Sequence, residues 1–182
     1  TISIIPTNKL IDSSFKNWKG MSDSGGRRIK RSIMIDMNSI KFCSVKMIER
    51  YRKFNVISHY ISKKLDEIEK HNLDNNIDED GLINGRSLTN IGTFRAYIEG
   101  YLRDHNKIHK EMTFLVRQLS PSPEGLPLEI YVFSNDTDWI NYEAIQSDIF
   151  DHLLAVLNEF DLKVFQNPTG NDFNNLNANP KT

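Results

Sequence analysis

Asn76, Asp78 and Asp80, followed by Gly81, alternate behind a helical pattern as the first oxygen donors of a calcium-binding loop do. Such a loop is completed by a bidentate glutamate at its twelfth position, and counting from Asn76 that place holds Ser87. With an asparagine also opening the loop, charge and ligand number fall short, and the stretch reads as a solvated acidic turn. His105 and His109 are four residues apart and would share a helical face if the helix reached that far. Zinc needs three or four ligands, no cysteine or carboxylate at ligand spacing joins the pair, and they read as surface histidines near a helix end. Cys43, the only cysteine, has no histidine placed to activate it and reads as a small buried hydrophobe. There is no glycine-rich phosphate loop and no Gly-x-Ser-x-Gly. No catalytic residue, metal or cofactor is expected.

Arg27, Arg28, Lys30 and Arg31 form the one dense basic cluster, a chemistry that suits phosphate or lipid headgroups. On a strand they would divide between two faces, which favours ion pairs with neighbouring chains or solvated positions. Nucleic acid is not expected as a partner. The cluster has no interleaved aromatics, and the two central apolar runs are read as lacking the paired exposed rings that stack bases. The chain's 23 basic and 24 acidic side chains nearly cancel, so no global field gathers polyanions. A single cysteine excludes a disulfide-stapled scaffold, and no apolar run approaches the roughly 18 residues of a spanning helix.

These residues need elements to hold them, and 182 residues with 38% hydrophobic and 26% charged side chains suffice for one main core. Ile2, Ile4 and Ile5 form a short strand pattern closed by Pro6; with no initiator methionine before it, the chain is expected to begin partway through a longer protein. Phe15 and Trp18 anchor the next stretch, and residues 20–26 read as a linker ending in Gly25 and Gly26. From Arg27 to Met37 the sequence alternates around Ile29, Ile33 and Ile35, as a half-buried strand does. A helical pattern follows from Ser39 to His71, with a break near Asn55, and Asn84-Gly85 signals a hairpin between Leu82-Ile83 and Ser87-Leu88-Thr89. Thr93 is expected to cap a helix bearing Phe94, Tyr97, Ile98, Tyr101 and Leu102. Residues 112–119 and 128–133 read as an antiparallel pair. Asp138 caps a last helix that buries Ile140, Ile145, Ile149, Leu153, Val156 and Leu157, and residues 162–165 supply a final strand. The order gives an α+β fold, a ferredoxin-like sandwich with helices on one face and an inserted helix and hairpin. The Asn-rich residues 169–182 are expected to be a disordered polar tail.

Two stretches resemble the small-conductance mechanosensitive channel family, and in detail its miniconductance branch. Residues 4–11, Ile-Ile-Pro-Thr-Asn-Lys-Leu-Ile, with their extension over 14–31, are similar to the strand, turn and exit of that family's small β domain. Residues 88–97, 115–119, 123–131 and 148–154 look like the branch's cytoplasmic α/β domain. The resemblance implies the end of a channel β domain and linker over 1–26 and a vestibule domain over 27–168. It also implies a homoheptamer hung beneath a transmembrane pore in the bacterial inner membrane, which opens under tension and releases solutes during osmotic downshock. Membrane attachment would come through helices N-terminal to this chain, with this portion on the cytoplasmic side. Gly25 and Gly26 would then serve as a hinge between the two pieces, and the basic cluster would lie near lipid or a subunit interface. Residues 56–84 exceed the shorter family members. The alternative reading is a ferredoxin-like regulatory or ligand-binding module without catalysis.

Overall fold

The computed structural model describes residues 25–77 and 83–168. The expected strand at Ile2–Ile5, the anchors Phe15 and Trp18, the centre of the acidic turn at 78–82 and the polar tail lie outside the described residues.

Strand β1, Arg27–Ile35, forms where the alternation predicts it: Ile29, Ile33 and Ile35 are buried while Arg28, Lys30 and Ser32 are exposed. The long helical pattern splits into α1, Val45–Tyr51, and α2, Ser58–Asp74, with a turn across residues 52–57. Ser44 caps α1 by accepting from the Met47 N–H. The next helix, α3, spans Asn90–Asp104. Its cap is Thr89, whose hydroxyl accepts from the Gly92 N–H, and not Thr93 as the sequence pattern suggested. Thr93 is instead fully buried one turn in, returning its hydroxyl to the Thr89 carbonyl at 2.9 Å.

Strands β2, Leu115–Gln118, and β3, Leu126–Ser134, are joined by a turn in which Gly125 takes φ 99°, a conformation that glycine adopts without a Cβ clash. Helix α4, Trp139–Val156, starts at Asp138, whose carboxylate accepts from Ile140 and Asn141. The sheet order is β1-β3-β2, antiparallel throughout, and Val164 bridges the outer side of β1 at Ile35. This is the split βαβ arrangement with its last strand reduced to one bridge, so the expected strand over 162–165 is shortened.

One hydrophobic cluster unites the helices with the inner face of the sheet. At its centre Phe160 packs against Tyr51, Phe54, Phe94 and Tyr97 with ring centroids 5.1 to 5.7 Å apart. The buried stripe of α4 runs through Tyr142, Ile145, Ile149 and Leu153, and Ile140 falls on the opposite side of the first turn, 77% exposed rather than buried. Of the hairpin expected around Asn84-Gly85, Leu82 lies outside the described residues and the Leu88-Thr89 arm pairs elsewhere. Thr89 bridges Phe42, the Cys43 N–H donates to the Leu88 carbonyl, and Asn72 of α2 clamps the Arg86 backbone through both ends of its amide.

Candidate functional site

Two glycines lead into β1. Gly25 is exposed at φ 68°, the left-handed region that favours glycine. Gly26 is buried, and a Cβ there would strike the Met112 sulfur.

The strand alternation then divides the basic cluster. Arg27 and Arg31 project on the helix-covered side, where the Arg27 guanidinium lies 4.3 Å from the Tyr142 ring centroid and 4.7 Å from that of Trp139, and Arg31 lies 4.4 Å from that of Phe150. Arg27 also donates to the Thr137 carbonyl at 3.4 Å. Arg28 and Lys30 project on the other face. Arg28 sits 5.7 Å from the Tyr131 ring centroid, and the Lys30 ammonium is 3.7 Å from Glu129. Three of the four cations are thus ordered over aromatic rings, which hold the guanidinium plane without neutralising its charge.

Glu129 is the member of this face that sequence reasoning missed. It is 4% exposed, lies opposite Arg117 in the register, and accepts from the Arg117 Nε at 2.9 Å, with the terminal nitrogen at 2.8 Å. The signal was present in the alternation of β3: residues 127, 129, 131 and 133 share the face opposite Leu128, Ile130 and Val132. The same alternation corrects a second expectation. Tyr131 and Phe133 do form a pair of half-buried rings on that face, with centroids 5.8 Å apart in an edge-on arrangement. They are engaged by the protein itself, Tyr131 beneath Arg28, and Phe133 within van der Waals reach of a Cβ placed at Gly26.

The remaining sequence candidates are dispersed. Helix α3 ends at Asp104, so His105 and His109 share no helical face; each uses Nδ1 to accept backbone N–H groups of its own turn. Lys110 supplies the helix end with a cation, donating to the carbonyls of Leu102, Arg103 and His105. Cys43 is buried and its thiol pKa is raised by that burial, the opposite of an activated nucleophile. Asn76 takes φ 49° just after α2, and among the described residues no group of three or more His, Cys, Asp or Glu is placed to hold a metal ion.

A cleft of about 350 Å³ opens between His105–Lys107, Asp136 and the first turns of α4 at Asn141 and Asp148. Burial, reinforced by Lys110, lowers the His105 pKa, and Asp136 is already committed to the Asp138 N–H. Nothing in that arrangement pairs a nucleophile with a base. No family model matches the sequence. No helix among the described residues is long and apolar enough to cross a membrane.

Proposed function

We propose that this chain is the cytoplasmic vestibule portion of a tension-gated mechanosensitive channel, a noncatalytic module that assembles as a ring beneath a pore. The observation that carries the reading is the resemblance of residues 4–31 and 88–154 to the miniconductance branch of that family, which spans both the exit of a β domain and the α/β domain. An α+β sandwich of split βαβ topology is consistent with it. So is the chemistry of the basic cluster, spent on ordering guanidinium groups over rings rather than on a reactive centre. In such an assembly tension supplies a free-energy difference between closed and open states. The vestibule can bias that balance only through contacts that differ between them.

The test is electrophysiological. The longer protein containing this chain, expressed in cells stripped of their own tension-gated channels, is expected to protect them from osmotic downshock and to give pressure-activated currents in excised patches. Normal insertion in the membrane with neither protection nor current would sink the reading. Light scattering on this chain across a concentration series asks a separate question, whether the α/β domain carries ring contacts of its own.

A further inference from the structure

Strand β1 pairs with β3 along its whole length, yet on its other side the only backbone bridge it makes among the described residues is the one where Val164 faces Ile35. That one bridge reveals which way the backbone points. The Phe165 N–H donates to the Met34 carbonyl and the Asp36 N–H to the Lys163 carbonyl, both at 2.8 Å, so the even-numbered residues aim their backbone groups away from β3. Arg28 obeys the same rule, its carbonyl accepting from the Tyr142 hydroxyl at 2.9 Å. Between these anchors Lys30 and Ser32, both exposed, direct an N–H and a C=O each toward the open side, and no partner takes them among the described residues.

The side chains along this edge have one sign. Strand β1 contains four cations and no carboxylate. Among the described residues, only Lys30 of these four forms an ion pair, with Glu129, which it shares with Arg117. An unpaired edge is a template for another strand, and its charge decides which strands it accepts. A second copy of the same edge would set cations against cations, a repulsive register. An acidic strand would meet Arg28, Lys30 and Arg31 with opposite charge.

We propose that the β1 edge between Arg28 and Met34 takes an extended acidic segment of a partner protein as an added strand, hydrogen bonded to the backbone of Lys30 and Ser32. The short reach between the two anchors makes this a weak, salt-sensitive contact in which main-chain bonds supply the affinity and the cations the selectivity. It stands independently of the channel reading.

The experiment uses the isotope-labelled chain and two synthetic peptides, one alternating glutamate with valine and one with lysine in place of glutamate. Amide hydrogen exchange is expected to be fast at Lys30 and Ser32 in the free chain and slowed there by the glutamate peptide alone. Ser32→Pro removes an outward N–H at a place where an edge strand tolerates proline, and is expected to abolish that protection. Arg28→Glu is expected to weaken it and reduce its salt dependence. If Ser32→Pro does not fold by circular dichroism, exchange in the unmodified chain decides. Protection of both amides without peptide would overturn the proposal, because the chain's own residues or a second copy would then cover the edge. Equal binding of the two peptides, or protection that maps elsewhere, would overturn it as well.

Discussion

Arg50 and Asp161 meet at 2.7 Å across 111 positions of sequence. Asp161 also receives Lys41 at 3.0 Å, so one carboxylate ties the end of α1 and the segment before it to the turn that follows α4. Its backbone is in the left-handed region at φ 53°. The hydrogen bonds from Arg50 and Lys41 hold its carboxyl pKa below the ordinary value. A carboxylate whose pKa is depressed by folding stabilises the native state above its unfolded pKa, about 4, and that contribution is lost as the pH falls through the depressed folded value. Asp161→Asn is therefore expected to cost about 1 kcal/mol near neutral pH and progressively less in acid, since asparagine tolerates the left-handed backbone. Asp161→Ala is expected to cost about 1 kcal/mol more, because alanine has the same Cβ but no short polar side chain to hydrogen-bond locally and offset the left-handed backbone. Urea midpoints of the three proteins between neutral and acidic pH check both the size and the slope.

Much of this core was legible because it is written in period. The alternation around Ile29, Ile33 and Ile35 placed β1, the three- and four-residue steps of Phe94, Tyr97, Ile98 and Leu102 placed α3, and Asp138 announced the start of α4. Local signals failed where a distant partner outbid them. Asn84-Gly85 has the chemistry of a two-residue turn, but Leu88 and Thr89 bond to Cys43 and Phe42 instead. Ile140 is as apolar as its neighbours, and only the phase of the stripe through Tyr142 and Ile145 turns it to solvent. The basic cluster was visible as charge, but its aromatic partners come from β3 and α4, which no local reading of residues 27–31 can supply.

Asn90 shows what a single buried amide can secure. Fully buried, it accepts the Lys41 N–H at 3.0 Å and the Ile91 N–H at 2.9 Å, and donates to the Ser39 carbonyl at 2.9 Å. Asn90→Ala leaves several backbone groups without partners and is expected to cost about 3 kcal/mol, read as a fall in the denaturant midpoint with unchanged slope. Asn90→Asp keeps the acceptor that serves two N–H groups, loses the donor to Ser39 and buries a charge. A loss below about 1 kcal/mol for the alanine variant would show that water replaces the amide.

On the sheet face, Glu129 holds Arg117 and Lys30 from a buried position. Glu129→Gln keeps the shape, removes the charge and is expected to cost about 2 kcal/mol. Glu129→Leu is expected to cost less. Both cations are about half exposed and turn to solvent, so no charge is stranded. Chemical denaturation of the two variants gives the order, and a larger loss for leucine would mean that Arg117 stays trapped.

If Gly25 is the hinge of a gating assembly, its φ of 68° makes it the sensitive position. Proline is locked near φ −65°, so Gly25→Pro forces the chain to enter β1 from a new direction. In the proposed channel, replacing Gly25 and Gly26 together with proline is expected to shift the tension threshold measured in patches. An unchanged threshold would remove the hinge role.

Gly100 sets two terms of opposite sign against each other. An alanine in a helix interior ordinarily gains about 1 kcal/mol over glycine. In α3, however, a Cβ at this position would lie 2.6 Å from the Val56 Cγ1 and 3.2 Å from the Val56 carbonyl oxygen, where the turn before α2 presses on the helix. The methyl can rotate aside, since Val56 is 38% exposed, but the carbonyl belongs to the turn that leads to the buried Ile57. Gly100→Ala is therefore expected to destabilise by about 1 kcal/mol net, the overpacking cost exceeding the propensity gain. Val56→Ala in the same chain removes the first overlap and leaves the second, so the double variant is expected to recover part of the loss. Full recovery would assign the close approach to the side chain alone, and an outright gain for Gly100→Ala would show that the turn yields to the helix.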